Sequence, residues 1–313
     1  MPTDDLRHYA LFYRDADHLA RTVAALPGPV VTAGEPVVAA VRPAAAVAVY
    51  RRIVRHRAGE PVTIVAEPDF GDRPAGFDNT GVFEAACNVA LAGHPVTVVC
   101  AYPAGCPDRV RFWAGAAHPH LLTDAGPVPN PDWREPEALL SALAPAAPVP
   151  APGSARRLHV TGSTGVHDLD PIRTRVRAAL PGLPALVRAD FVAAVNEILT
   201  NAYLHGAPPV DVALWAVADQ VECRVTDRGP GLADPLAGYR PDRDDGRPRA
   251  RIGLWLARQA CDRIDMWHDE AGFTVRATTA VPATKILPAA GARARVEAAH
   301  TRATLLHRRY ERP

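Results

Sequence analysis

The chain has 313 residues, of which 48% are hydrophobic and 22% charged, and its formal net charge is +1. This composition is typical of globular domains, and the near-zero charge gives no general attraction to nucleic acid or to anionic membranes. At roughly 150 residues per domain two domains are expected, and the acidic N-terminus, the lack of an apolar run of about 18 residues and five scattered cysteines predict a cytoplasmic protein with reduced thiols.

The first part of the chain alternates strand-like and helix-like segments. Residues 61–68 and 94–103 each contain a β-branched run followed by proline, which predicts buried strands. Between them, residues 81–93 have helical periodicity and end in glycine. A strand, a helix and a second strand in this order predict a parallel sheet, and therefore an α/β domain over residues 1–134.

Two segments lie outside the predicted domains. Residues 135–155 begin with a short helical stretch and continue as a tract rich in proline and alanine, which predicts a stiff linker. Residues 286–313 are basic and compatible with a helix. This tail is interpreted as a solvated helix or frayed end, or alternatively as a surface for an acidic partner or for self-association.

The second part of the chain, residues 156–285, has a different pattern of elements. Period-two segments occur in two pairs, each joined by a short polar connection, which is typical of hairpins. Because the helical segments are grouped apart from these pairs, the pattern predicts an α+β sandwich with an antiparallel sheet. The predicted strands are 156–162, 209–217, 221–227, 264–269 and 273–281, and the predicted helices are 168–180, 186–204 and 252–263.

Polar residues interrupt the most apolar of these helices at a regular spacing. Glu197, Asn201 and His205 are four residues apart and therefore share one helix face. A carboxylate and an amide oxygen on one face can hold a hard cation and accept a proton, although a solvated helix face would show the same pattern.

Two glycine-containing segments follow this helix. Asp227 ends a predicted strand and is followed by Gly229 and Gly231, which would allow backbone to approach a flat ligand; a common turn is the alternative. A loop rich in arginine then leads into the helix that contains Gly253, where free amides would form an anion site; a surface loop is the alternative.

The order of these three elements resembles the GHKL ATPases, whose fold is the Bergerat fold. The matching segments are "NEILTNAYLHG", "DRGPGL", "RIGLWLARQACD" and "GFTVRAT". The sequence is most similar to the ATPase domain of bacterial anti-sigma-factor serine/threonine kinases, over residues 156–283. The resemblance implies ATP and Mg²⁺ as cofactors. It also implies Glu197 as the general base, Asn201 as the Mg²⁺ ligand, Asp227 and Thr274 as adenine contacts, Gly229 and Gly231 as the turn beneath the base, and Gly253 with Leu254 at the phosphate end.

The resemblance leaves three functional hypotheses. As an anti-sigma kinase, the protein would phosphorylate an anti-sigma antagonist protein, bind a sigma factor and form a homodimer. A sensor histidine kinase would need a long helix pair with an accepting histidine, for which the linker leaves no room. A nucleotide-gated binding module without catalysis is the third hypothesis, because the usual "GRGLW" segment reads Arg251-Ile252-Gly253-Leu254 and has lost one glycine.

The N-terminal part resembles the MEDS sensory domain, which is joined to this ATPase type in actinobacteria. That family is thought to sense small hydrocarbon derivatives, so the resemblance implies a small-molecule ligand here. The matching segments are "HYALFYRDADHL", "AGEPVVAAV", "AEP", "FEAACNVAL", "CAYP" and "HP".

Polar residues near strand ends suggest two kinds of site in this part. A ligand pocket at the carboxyl edge of the sheet would be lined by His8, Glu67, Glu84, Tyr102 and His118. The alternative is a metal site made of Cys100, Cys106, His118 and His120, whose spacing matches no standard zinc signature.

Overall fold

The computed structural model describes residues 6–26, 30–32, 43–57, 60–68, 70, 74–145, 148–153, 156–217, 220–232, 234–239 and 252–281. Arg251, the predicted tail and residues 33–41 of the MEDS resemblance lie outside the described residues. The chain divides into two compact units between Leu139 and Leu140. No helix of the described segments is both long and apolar enough to cross a membrane.

The N-terminal unit is a six-stranded sheet with helices. Its strands are β1 (Arg7–Tyr13), β2 (Val30–Thr32), β3 (Val62–Ala66), β4 (Val96–Pro103), β5 (His120–Thr123) and β6 (Gly126–Pro129). Its helices are α1 (Ala16–Ala24), α2 (Pro43–His56), α3 (Pro74–Ala90) and α4 (Asp108–Ala117). The strand order is β2-β3-β4-β1-β5-β6, parallel except at β6, which pairs antiparallel with β5. The predicted parallel sheet is therefore confirmed, with an antiparallel strand added at one edge.

Helices pack on both faces of this sheet. Successive residues of a strand point to opposite faces, so the residues of β1 contact different helices in turn. Tyr9 and Leu11 of β1 point to one face and join a buried cluster with Val23 of α1. On the other face, His8 of β1 lies against Glu84 of α3. The polar residues of β1 and β4 are therefore enclosed between the sheet and α3.

The C-terminal unit is an antiparallel sheet with helices. Its strands are β7 (Arg156–Ser163), β8 (Val210–Val217), β9 (Gln220–Asp227), β10 (Arg263–Asp269) and β11 (Gly272–Ala280), and its sheet order is β10-β11-β9-β8-β7. Its helices are α6 (Leu169–Ala178), α7 (Ala185–His205) and α8 (Ile252–Ala260), and α5 (Pro136–Leu143) spans the boundary between the two units. All neighbouring strands are antiparallel, which confirms the predicted α+β class.

The end of α8 differs from the sequence-based prediction. The apolar pattern predicts a helix over residues 252–263, but α8 ends at Ala260. Arg263 already pairs with Thr278 as the first residue of β10. Strand pairing therefore overrides local helix propensity at this point.

The core of this unit lies between its helices and one face of the sheet. Phe191, Ile198 and Leu199 of α7 are buried with Leu214 of β8 and Val225 of β9. Because removing apolar surface from water is favourable, this contact stabilises the unit. It also fixes the rotation of α7, and therefore the direction of its polar face.

The opposite face of the same sheet carries charged side chains and holds part of the predicted linker. The carboxylate of Glu222 binds Arg224 and Arg276, each at 2.8 Å or less. Arg224 donates to the carbonyl oxygens of Val149 and Pro150, both at 2.8 Å. This stretch of the predicted linker therefore lies on β9 and belongs to the C-terminal unit.

Candidate functional site

The polar face of α7 begins in the middle of the helix and runs to its C-terminal end. Glu197 and Asn201 are half-buried, whereas His205 is exposed. The helix ends at His205, and Gly206 donates its N–H to the carbonyl of Ala202. With a rise of about 1.5 Å per residue, Glu197 and Gly206 are about 13 Å apart along the helix. Asn201 lies between them.

At one end of this face, Glu197 meets the N-terminus of α8. Gly253 is the second residue of α8, and a Cβ atom there would lie 2.5 Å from Oε2 of Glu197. A glycine is therefore needed for the carboxylate to approach the helix this closely. Leu254 is half-buried and packs against the core. The first turn of α8, whose amides have no acceptor within the helix itself, thus lies beside the carboxylate predicted to act as the base.

At the other end, the carboxylate of Asp227 joins β9 to the end of α7. Asp227 is only 4% exposed. Its Oδ1 accepts the N–H of Gly229 at 2.7 Å and that of Ala207 at 3.3 Å. A Cβ atom on Gly229 would lie 2.7 Å from Cα of Gly206. The backbone of Gly206, Ala207 and Gly229 therefore forms a cradle around the Asp227 carboxylate, and a side chain at either glycine would occupy this space.

Gly231 borders this cradle, whereas Thr274 lies one ladder step away from it. Thr274 is buried, and its hydroxyl oxygen is 2.8 Å from that of Thr226, its partner across β9 and β11. The next residue pair along the ladder joins Phe273 to Asp227. Gly231 has a φ of 78°, and a Cβ there would meet the ring of Phe273. Thr274 therefore lies on the sheet face opposite Asp227, because neighbouring residues of a strand point in opposite directions, and the structure does not bring these two predicted adenine contacts together.

Gly272 offers a test of how strictly the backbone of Asp227 is positioned. Its φ is 119°, and an added Cβ would overlap the backbone oxygen of Asp227. We expect Gly272→Ala to lower the free energy of unfolding by about 1–3 kcal/mol more than Gly162→Ala. Gly162 is the matched control, since its φ of 74° is also positive but an added Cβ would meet no atom within 4 Å. Thermal unfolding of both variants measures the difference, and equal losses would contradict this account.

The described part of the site can therefore offer several kinds of contact along one helix face. It has a buried acceptor at the Asp227 end, and helix amides beside a carboxylate at the Glu197 end. Among the described residues, both amides that bind Asp227 use Oδ1, which leaves Oδ2 for the amino group of a ligand. The sequence marked Gly206 as the end of this helix but did not assign Gly206 or Ala207 a contact with Asp227.

The N-terminal unit contains a second group of predicted site residues. His8, Glu84, Tyr102 and His118 are fully buried. Oε2 of Glu84 lies 3.2 Å from Nε2 of His8 and 3.4 Å from Nε2 of His118, and the hydroxyl of Tyr102 donates to Oε1. Glu67 is exposed and does not join them. The group is covered by α3 and lies within the sheet face, not at the predicted carboxyl edge.

Cys100 joins this group, with its Sγ 3.2 Å from Oε2 of Glu84. Cys106 and His120, which completed the alternative metal set, are not members. Burial and the neighbouring His118 lower the pKa of His8, and burial raises the pKa of the Cys100 thiol. Burial opposes the ionisation of Glu84, but the charges of the two histidines outweigh it and lower its pKa.

Comparison with known proteins bears on the C-terminal unit. A search of curated proteins gives no match to the chain. Residues 164–279 match the family model of the histidine kinase-like ATPase domain. This range includes Glu197, Asn201, Asp227, Gly253 and Thr274, and so the whole helix face and cradle described above. The segment 164–279 is thus similar in sequence to histidine kinase-like ATPase domains.

Proposed function

We propose that the C-terminal unit binds Mg²⁺-ATP and that the protein is an anti-sigma regulatory factor with serine/threonine kinase activity. One observation carries the proposal. A single face of α7 meets the N-terminus of α8 at Glu197 and the buried carboxylate of Asp227 at its other end. An elongated ligand with an amino group at one end and anionic groups at the other fits this order of contacts.

The residues present fit a nucleotide and its metal ion. Asp227 offers a buried acceptor to the adenine amino group, within a cradle where a Cβ on Gly229 would come too close to Gly206. The first amides of α8 face the other end of the site, where a helix terminus favours phosphates. Asn201 lies between the two ends of the helix face, and an amide oxygen is a suitable ligand for Mg²⁺.

The chain's own groups supply positioning and proton transfer. ATP supplies the γ-phosphoryl group that moves to a serine hydroxyl of the substrate protein. Glu197 accepts the proton of that hydroxyl, while Asn201 holds the metal ion and the α8 amides hold the phosphates. Transfer of this kind depends on positioning and charge neutralisation more than on covalent help from the protein. Gly253 allows Glu197 to reach the phosphate end.

The partners belong to the same proposal. The acceptor would be an anti-sigma antagonist protein, and the unphosphorylated antagonist would compete with a sigma factor for a dimer of this protein. The N-terminal unit would act as the sensor, since a small molecule that binds two states of the protein unequally shifts the balance between them. Neither nucleic acid nor a membrane is part of the mechanism.

The alternative of a non-catalytic, nucleotide-gated module is supported by the shortened glycine segment. With Gly253, Leu254 and Trp255 aligned to the end of "GRGLW", Arg251 stands where that segment has its first glycine. ATP binding without hydrolysis or phosphoryl transfer would support this alternative. The histidine-kinase alternative is less well supported, since in the described residues between 130 and 163 the one helix is α5, with 8 residues.

Calorimetry of Mg²⁺-ATP binding to the full chain tests the proposal. We expect the wild type to bind only with Mg²⁺, and Asn201→Ala to bind roughly 10–150-fold more weakly, since a hydrogen bond or ligand to a charged group contributes about 1.5–3 kcal/mol. Asn196→Ala, in the same helix and also half-buried, is the matched control and should bind as the wild type does. A folded wild type that does not bind ATP would overturn the proposal.

A further inference from the structure

The N-terminal unit brings four metal-binding side chains together from distant parts of the sequence. His8 comes from β1, Glu84 from α3, Cys100 from β4, and His118 directly follows α4. Each offers one ligand atom, and these atoms lie within 4.8 Å of one another. None of the four side chains is exposed to solvent. The proposed kinase reaction uses none of them.

Four of the six distances between the ligand atoms have the size of the edges of a metal-centred tetrahedron. Oε2 of Glu84 is 3.2 Å from Nε2 of His8, 3.4 Å from Nε2 of His118 and 3.2 Å from Sγ of Cys100. Sγ of Cys100 is 3.5 Å from Nε2 of His8. Tetrahedral zinc, with bonds of about 2.0 Å to nitrogen or oxygen and about 2.3 Å to sulfur, places its ligand atoms about 3.3–3.6 Å apart.

Hydrogen bonds behind the histidines orient both rings towards the centre of the group. Asn88 donates its amide protons to the carbonyls of Glu84 and Ala117, so its Oδ1 faces Nδ1 of His8 at 3.0 Å and accepts from it. Nδ1 of His118 donates to the carbonyl of Ala114 at 2.6 Å. In the neutral rings both Nε2 atoms therefore direct lone pairs towards Oε2 of Glu84. Such a second layer of hydrogen bonds is characteristic of metal-binding histidines.

A cation at the centre resolves contacts that are otherwise unfavourable. With neutral rings, lone pairs face a carboxylate oxygen, and in the described part of the chain Nε2 of His118 has no hydrogen-bond partner although it is buried. With two protonated rings, two buried cations would lie 4.0 Å apart, measured between ring centroids, against a single carboxylate. A divalent ion accepts all four lone pairs and balances the charges of Glu84 and a Cys100 thiolate.

We propose that His8, Glu84, Cys100 and His118 bind one divalent transition-metal ion of the zinc type. The two nitrogens, the oxygen and the sulfur suit zinc better than magnesium or calcium, which prefer oxygen ligands alone. Four protein ligands leave no open position, as in structural zinc sites. The ion would therefore hold α3 and the end of α4 against β1 and β4, and would stabilise the N-terminal unit.

Metal analysis of the full-length protein tests this proposal directly. We expect one equivalent of metal per chain after purification. We also expect the metal-free protein to take up one equivalent of Zn²⁺ or Co²⁺ and to unfold at a higher temperature once loaded. With Co²⁺, tetrahedral ligand-field bands and a thiolate-to-cobalt charge-transfer band should appear. A folded wild type that takes up neither ion stoichiometrically would overturn the proposal without the use of any variant.

Paired cysteine variants test the ligand assignment. Cys100→Ala should lose the charge-transfer band and bind Co²⁺ at least tenfold more weakly, whereas Cys106→Ala should keep the wild-type spectrum. Cys106 is a suitable control because its thiol is also buried but lies outside the group. Circular dichroism checks that both variants are folded, and Cys100→Ser replaces Cys100→Ala if the latter is not. The same charge-transfer band in a folded Cys100 variant and in the wild type would overturn the ligand set.

Discussion

Replacing Asp227 by asparagine is expected to weaken ATP binding by roughly 10–150-fold, the effect of losing a hydrogen bond that involves a charged group. Asparagine can keep Oδ1 as the acceptor for the amides of Gly229 and Ala207, so the turn itself should survive. Its amide nitrogen would replace Oδ2 and present protons to the amino group of adenine, where an acceptor is needed. Calorimetry with Mg²⁺-ATP measures the loss.

A second nucleotide shows whether Asp227 contacts the adenine amino group itself. Purine riboside triphosphate lacks this amino group, and we expect it to bind the wild type about as weakly as ATP binds the Asp227→Asn variant. If the Asp227 carboxylate contacts the adenine amino group, the analogue should bind the Asp227→Asn variant only slightly more weakly than it binds the wild type. Additive losses would show that Asp227 acts elsewhere, for instance only in holding the turn.

Replacing Glu197 by glutamine is expected to slow phosphoryl transfer by about 10²–10⁴-fold, the usual contribution of a general base. ATP binding should change by less than about threefold, because the side chain keeps its size and its place beside the N-terminus of α8. ATP hydrolysis is the first assay, since water can act as acceptor before an antagonist protein is identified. Phosphorylation of candidate antagonists by labelled ATP is the second.

Gly253→Ala provides a second, independent test, because it displaces the carboxylate of Glu197 without replacing it. The added Cβ would lie 2.5 Å from Oε2, and the flexible carboxylate can move away at little cost to folding. We therefore expect this variant to lose hydrolysis while its unfolding temperature stays close to that of the wild type. Wild-type hydrolysis in both variants would disprove the role of Glu197, and ATP binding without hydrolysis in the wild type would favour the non-catalytic module.

Much of the fold could be predicted from local sequence patterns. The β-branched runs before Pro68 and Pro103 are strands, and the long apolar helix spans nearly the predicted residues. These elements have strong signals of their own, in period, length and terminating residues. The last turn predicted for α8 was wrong. Arg263 pairs with Thr278 of another strand, and a local sequence pattern carries no information about such a contact.

The sequence by itself determined the order of strands and helices in the C-terminal unit, three elements of the N-terminal unit and the chemistry of the residues along α7. Three features did so: the four-residue spacing of Glu197 and Asn201, the glycines after Asp227, and the glycine in α8. They are short-range patterns, so their geometry follows from helix and turn conformation alone. Glu197 and Gly253, by contrast, are 56 positions apart in the chain. Their approach depends on the packing of α7 against α8.

Only the tertiary structure decided which buried polar residues of the N-terminal unit share one site. The sequence divided them between two candidate sets, with His8 and Glu84 in one and Cys100 in the other. Their meeting depends on the register of β1 with β4 and on the rotation of α3 above them. The burial of the apolar faces of the sheet and helices sets this register and this rotation. Such burial is a property of the whole unit, and the spacing of residues along the chain does not encode it.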